Sequence, residues 1–145
     1  MKILVDADAC PVLGETEDLA RKFGLDLIIV SDYNHHIKSS YGQLEKVDQA
    51  ADSADFYIFN RLESGDILVS QDLGLAAMAL SKGALCINPN GELVSNDNID
   101  FLLNSRHLSA KLRREQGIYG RIKKRESHMD SLFKNSLLKL IQENL

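Results

Sequence analysis

Two periods of apolar residues alternate along the chain. Lys2 to Val5 is a short Ile/Val-containing run, Pro11 to Phe23 carries apolar residues at helical spacing, and Leu27 to Val30 is a second short run, with Gly24 as the helix stop. That order predicts a βαβ unit. After an irregular stretch from Ser31 to Gly42, the pattern predicts a short strand near Leu44 to Val47 and a helix from about Ser53 to Leu62. Ile67 to Val69 reads as the next strand, and Leu73 to Lys82 as an Ala/Leu-rich helix ending at Gly83. Ala84 to Ile87 is a further strand, stopped by Asn88-Pro89-Asn90-Gly91. Parallel strands joined by helices are covered on both faces, so the expected fold is a three-layer α/β/α sandwich around a mainly parallel sheet.

Ser95 to Asn98 offers several caps for a helix carrying Ile99, Leu102 and Leu103, continuing less regularly through Leu108 and Leu112. Gln116 to Glu126 reads as an exposed basic loop. In the last helix, about 129–144, Met129, Leu132, Phe133, Leu137, Leu140 and Ile141 form one apolar stripe, docked on the body or on a second subunit as a homo-oligomer. No repeat or linker divides the chain, so one domain over 1–145 is expected.

At 145 residues a proper core is available without staples. Cys10 and Cys86 lie far apart and outside any Cys-x-x-Cys or Cys/His pattern, so they read as small buried hydrophobes. No signal-peptide pattern and no run of about eighteen apolar residues occurs, which places the protein in the cytoplasm and away from membranes. The net charge of −4 hides a polarity. Residues 1–105 hold 7 Lys/Arg against 17 Asp/Glu, whereas residues 106–145 hold 10 against 4. An acidic site with a basic flank suits a phosphate-rich ligand beside bound metal, although charge runs more often just solvate a face.

The acids have a geometric logic. In open parallel sheets, ligands bind outside the carboxyl ends of the strands. Asp6 and Asp8 follow the first strand, Asp72 follows Ile67 to Val69, and Asp52 and Asp55 open the intervening helix. Two unit charges about 4 Å apart repel by roughly 4 kcal/mol at an effective dielectric near 20, so converging carboxylates need protons, a basic partner or a cation. All-oxygen donors favour magnesium or manganese. Each acid also has a plainer reading: Asp8 and Asp72 as helix caps, Asp52 and Asp55 as favourable charges at a helix N-terminus. Asp6, at a strand end, has no such explanation.

The run Ile-Leu-Val-Asp-Ala-Asp-Ala-Cys-Pro-Val at 3–12 closely resembles the opening of the YaiI/YqxD family of bacterial proteins, related to the PIN-like nuclease fold. Asp52-x-x-Asp55, Gly65-Asp66-Ile-Leu-Val with Asp72 and Leu75-Ala76, Gly83-Ala84, Asn88-Pro-x-Gly91-Glu92 and Arg106 resemble that family's order and spacing, over nearly the whole chain. The resemblance implies a PIN-like fold whose active relatives gather acids around magnesium or manganese to cleave RNA. By position it makes Asp6, Asp8, Asp55 and Asp72 the catalytic, metal-holding acids, with Asp52 a further candidate. Three departures stand out: Gly74 where the family has Pro, Tyr119-Gly120-Arg121-Ile122 in place of Gly-Gly-Pro, and no intact Asp-Arg pair around Met129-Asp130-Ser131.

Between Arg106 and Arg125, eight basic residues surround Tyr119; Arg106, Arg113, Lys123 and Lys124 are the candidate phosphate contacts to an RNA partner. Arg106 is also placed to neutralise the carboxylates. Cys10 precedes Pro11, where a helix dipole lowers a thiol pKa, but a buried thiol is the default. His35 and His36 read as surface turn residues. The expected function is a Mg/Mn-dependent phosphodiesterase or ribonuclease. Its competitors are a non-catalytic RNA-binding or protein-interaction module using segment 106–125, and, through Asp6-x-Asp8, a haloacid-dehalogenase-like phosphatase. Cys10 and the interval from Asp66 to Asp72 do not fit the phosphatase pattern.

Overall fold

A computed structural model describes residues 1–8, 10–50, 53–115 and 125–145. Its elements run β1 (Lys2–Asp6), α1 (Leu13–Phe23), β2 (Asp26–Asp32), β3 (Gln43–Val47), α2 (Ser53–Arg61), β4 (Ile67–Val69), α3 (Leu73–Ser81), β5 (Leu85–Ile87), β6 (Leu93–Val94), α4 (Ile99–Glu115) and α5 (Ser127–Asn144). The strands form one sheet in the order β3-β2-β1-β4-β5-β6, parallel except for the antiparallel β5–β6 pair.

Side-chain alternation along each strand sorts the core into two layers. Ile3, Val5, Leu27, Ile29, Ile67 and Val69 pack with α1 and α5, while Leu4, Ile28, Val30 and Leu68 pack with α2, α3 and the start of α4. The strands are apolar on both faces because helices cover both faces. The three-layer α/β/α sandwich expected from the sequence is what forms.

Of the apolar stripe expected on α5, Phe133, Leu137 and Ile141 are fully buried beside α1, whereas Leu132, 52% exposed, points away from that core. The start of α5 is held by Arg125, whose guanidinium donates to Asp130 Oδ1 at 2.7 Å, the Pro89 carbonyl at 2.7 Å and Asn90 Oδ1 at 3.0 Å. Gly91 lets the two segments touch, since it has φ +84° and a Cβ there would lie 2.9 Å from the Leu132 carbonyl oxygen.

The elements depart from the sequence expectation at β2, α1 and β6, while the irregular connection after β2 is as expected. Strand β2 runs two residues further, to Asp32, and α1 starts at Leu13 rather than Pro11, with no side-chain cap on its first turn. Strand β6, unforeseen, returns after the Asn88 to Gly91 turn, in which Asn88 Oδ1 accepts from the Asn90 and Glu92 amides at 3.0 Å each. The parallel pair β2 and β3 is joined by residues 33–42 without a helix. That crossover is hooked to α1 by Ser39 and Ser40, both donating to Glu17 at 2.6 Å, and by Tyr41 Oη donating to the Leu25 carbonyl at 2.7 Å.

At the amino edge of the sheet, Asp66 is 3% exposed yet fully paired. It accepts from the Lys2 ammonium at 2.6 Å, the Lys2 amide at 3.0 Å and the Glu63 amide at 2.8 Å. Asp66 therefore serves the strand starts, at the end of the sheet opposite Asp6.

Because α5 closes one whole layer through Phe133, Phe133→Ala is expected to cost about 3–5 kcal/mol in urea unfolding. A loss below about 1 kcal/mol would show that α5 contributes little to the core.

Candidate functional site at the carboxyl edge of the sheet

Strand β1 pairs with β2 on one side and β4 on the other, so the chain's path reverses direction between β1 and β4. Such a switch point opens a crevice beyond the strand ends. Asp6 is the last residue of β1, on the same face as Leu4, and sits in that crevice. Its Oδ2 accepts from Ser70 Oγ at 3.0 Å; the same Oγ accepts the Asp72 amide at 3.0 Å, so one hydroxyl ties the end of β1 to the loop after β4.

Burial pushes the Asp6 carboxyl up to about 6, and the negative charges of Asp55, Asp8 and Asp72 push the same way, against the Ser70 hydrogen bond. Three of the acids singled out in the sequence, Asp8, Asp55 and Asp72, therefore come within electrostatic reach of Asp6, although among the described residues these four do not form a group with ligand atoms all within 4.8 Å of one another. Asp55 stands in the first turn of α2. Asp72 is an N-cap as well, its Oδ1 accepting the Leu75 amide of α3 at 3.2 Å. Its capping and its place at the crevice are compatible, since one oxygen makes the cap.

Asp8 is not the cap of α1. Both its oxygens accept the Asp32 amide at 3.3 Å, and Oδ1 lies 3.0 Å from His35 Nδ1. His35 Nδ1 also pairs with Asp32 Oδ1 at 2.8 Å, and Asp32 Oδ1 accepts the Asn34 amide at 2.9 Å. The hydrogen bond to Asp32, with the charges of Asp32 and Asp8, raises the His35 pKa, while His35 holds Asp32 low. Among the described residues, Asp8, Asp32 and His35 are the group whose ligand atoms all lie within 4.8 Å of one another. Asp32 and His35 went unrecognised as site residues in the sequence. A signal was present only in part: both follow a strand, but nothing in the spacing places Asp32 beside Asp8.

Carboxylate oxygens around a half-buried, charge-disfavoured Asp6 are donors that suit a hard divalent cation such as magnesium, which keeps several of its waters when bound by a few carboxylates. The Asp8, Asp32 and His35 group differs in including an imidazole nitrogen, a donor that suits zinc, iron or nickel better than magnesium.

Of the basic candidates, Arg106 on α4 reaches the rim, where its Nη1 donates to the Gln71 carbonyl at 3.4 Å. Arg113 is exposed in the last turn of α4. Lys123 and Lys124, like Asp52, Tyr119 and Arg121, lie outside the described residues. Arg125 is committed to α5 and the β5–β6 turn rather than to an open strip. Burial pushes the Cys10 thiol up, the reverse of an activated nucleophile, and the Cys86 thiol up to about 12.

The family model described as "Uncharacterized BCR, YaiI/YqxD family" matches residues 4–143. The chain belongs to this family. It is similar to a UPF0178 protein of Ruminiclostridium cellulolyticum, 45% identical over 142 residues covering 98% of this chain and 93% of the relative. A UPF0178 protein of Natranaerobius thermophilus is 42% identical over 141 residues, 97% and 96% of the two chains. One of Alkaliphilus oremlandii is 40% identical over 145 residues, 100% and 94%. No solved structure matches significantly. No helix among the described residues is long and apolar enough to cross a membrane.

The Asp6 pKa has a consequence for stability. Raised from 3.8 to about 6, the folded form binds protons more tightly than the unfolded chain, so stability is lost as pH rises from about 4 through about 6. The loss is on the order of 2–3 kcal/mol at most. Asp6→Asn is therefore expected to match the parent near pH 4 and to exceed it by about 2 kcal/mol near pH 7.5 without added metal, measured by urea unfolding. An equal difference at both pH values would contradict the burial of that charge.

Proposed function

We propose that the protein is a metal-dependent phosphodiesterase acting on RNA, with Asp6, Asp8, Asp55 and Asp72 as the acids that hold magnesium or manganese. The observation that carries this reading is the half-buried Asp6 at the switch point, within reach of three further carboxylates that all disfavour its charge. The resemblance to the PIN-like fold and the all-oxygen donor set support it further. When bound, the ion supplies a polarised phosphoryl oxygen and a water of lowered pKa. The chain's own part is placement. Ser70 fixes Asp6 and the Asp72 amide together, the Asp32 amide and His35 orient Asp8, and Arg106 at the rim contacts substrate phosphates, with Arg113, Lys123 and Lys124 as further candidates for that role.

A non-catalytic RNA-binding or protein-interaction module is the second reading, favoured by the exposed Lys111, Arg113 and Arg114 on α4. Incubation with short single-stranded RNA and manganese separates the two. Cleavage is expected, falling about a hundredfold or more in Asp6→Asn and in Asp72→Asn. Asparagine caps a helix as well as aspartate does, so Asp72→Asn keeps α3 intact. RNA affinity with a steep salt dependence, lost on Lys123→Ala with Lys124→Ala and unaccompanied by cleavage, would favour the binding module instead.

A further inference from the structure

Beyond the acids, the same edge of the sheet carries an aromatic cleft of about 470 Å³, lined by Tyr33, Lys46, Val47, Asp48, Phe56 and Tyr57 among others. Tyr33 is 64% exposed and Phe56 59%, large rings that face water. Each is the chain neighbour of an acid, Tyr33 following Asp32 and Phe56 following Asp55. The cleft lies by the end of β3, two strands away from β1. Strand spacing puts it about 10 Å from the Asp6 column.

The backbone beneath Tyr33, and Tyr57 beside it, are held in place. Tyr33 sits in a turn closed by the Asn34 amide on Asp32 Oδ1 at 2.9 Å and the His35 amide on the Asp32 carbonyl at 3.4 Å. The Lys46 ammonium donates to the His35 carbonyl and, at 3.5 Å, to the Asp32 carbonyl, pinning the turn to β3. Tyr57 accepts Arg61 Nη1 on its hydroxyl at 3.1 Å, with the guanidinium 5.7 Å from the ring centroid. The Tyr33 and Phe56 rings themselves stay open to solvent above this held backbone, so a flat partner stacking on them covers apolar surface.

A flat aromatic ligand suits such walls, and the acidic crevice alongside calls for one joined to a phosphodiester. We infer that the cleft receives an unstacked base of single-stranded RNA, one or two nucleotides from the bond held at the acids. Stacking on rings is tolerant of base identity because every base has a π-face, so the cleft selects single strands over duplex more than it selects sequence. This rests on the phosphodiesterase reading for its substrate, while its readout is binding.

The test is fluorescence anisotropy of a short labelled single-stranded RNA with the full chain carrying Asp6→Asn, in manganese, so that cleavage does not interfere. Tyr33→Ala and Phe56→Ala are each expected to weaken binding about tenfold, and an abasic oligomer of equal length to bind as weakly to the parent as RNA binds to the variants. Tyr33→Phe and Phe56→Tyr, which keep a ring, are expected to restore affinity. Phe101→Ala, which removes a ring 71% exposed on α4 and outside the cleft, is expected to change nothing. RNA bound equally by the alanine variants, an abasic strand bound as tightly as RNA, or no RNA binding at all would overturn the inference. The phosphodiesterase reading is judged separately, by manganese-dependent cleavage of a base-free phosphodiester by the parent chain. Its absence counts against the acids, and its presence leaves the role of the cleft to be decided by the anisotropy.

Discussion

Strand β1 is hydrogen-bonded on both sides, and its two neighbours are reached by chain segments that depart in opposite directions. The crevice at its carboxyl end follows from that divergence, and the rest of the site depends on it. Leu4, Val30 and Leu68, on the face of the sheet that Asp6 shares, are fully buried, so its surroundings are of low polarity. The apolar packing that stabilises the middle of the sheet is therefore what makes a charge on Asp6 costly. Core and site are two results of one placement.

The two ends of the sheet treat buried acid oppositely. Asp66 at the amino edge is the more buried of the two acids and has an ammonium and two amides for its oxygens. Asp6 at the carboxyl edge has a hydroxyl and faces like charges. A satisfied buried acid fixes structure; a frustrated one stores free energy that a cation or a proton releases. The contrast separates an acid that anchors strands from one suited to chemistry, although both occur in similar Ile/Leu/Val surroundings.

Much of this was legible from residue order because local periodicity and burial agree. The Ile/Val runs gave five strands, and the stripe of α5 is the one that packs against α1. Legibility failed where the deciding contact is long-range. Strand β6 has two residues, too few to show a period, and Ser31-Asp32 extends β2 through pairing with β3 rather than through its own polarity. Asp8 was readable as an acid after a strand, but its partner is the Asp32 amide across the sheet. His35 is local to a turn whose position is set by where β2 ends. Asp72 shows that capping and site roles are not alternatives, which residue spacing alone presents as a choice.

The crossover of residues 33–42 has no helix and no strand of its own, and its hooks are side chains of α1 and the loop itself. It begins with Tyr33 and His35 at the carboxyl edge, while the acids it borders belong to β1, α2 and the loop after β4. Lengthening or rewriting this segment would redraw the border of the crevice and leave Asp6, Asp55 and Asp72 where they are. Changes outside His35 in this surface segment thus alter what borders the crevice at little cost to the core, whereas a change at His35 itself also frees Asp8.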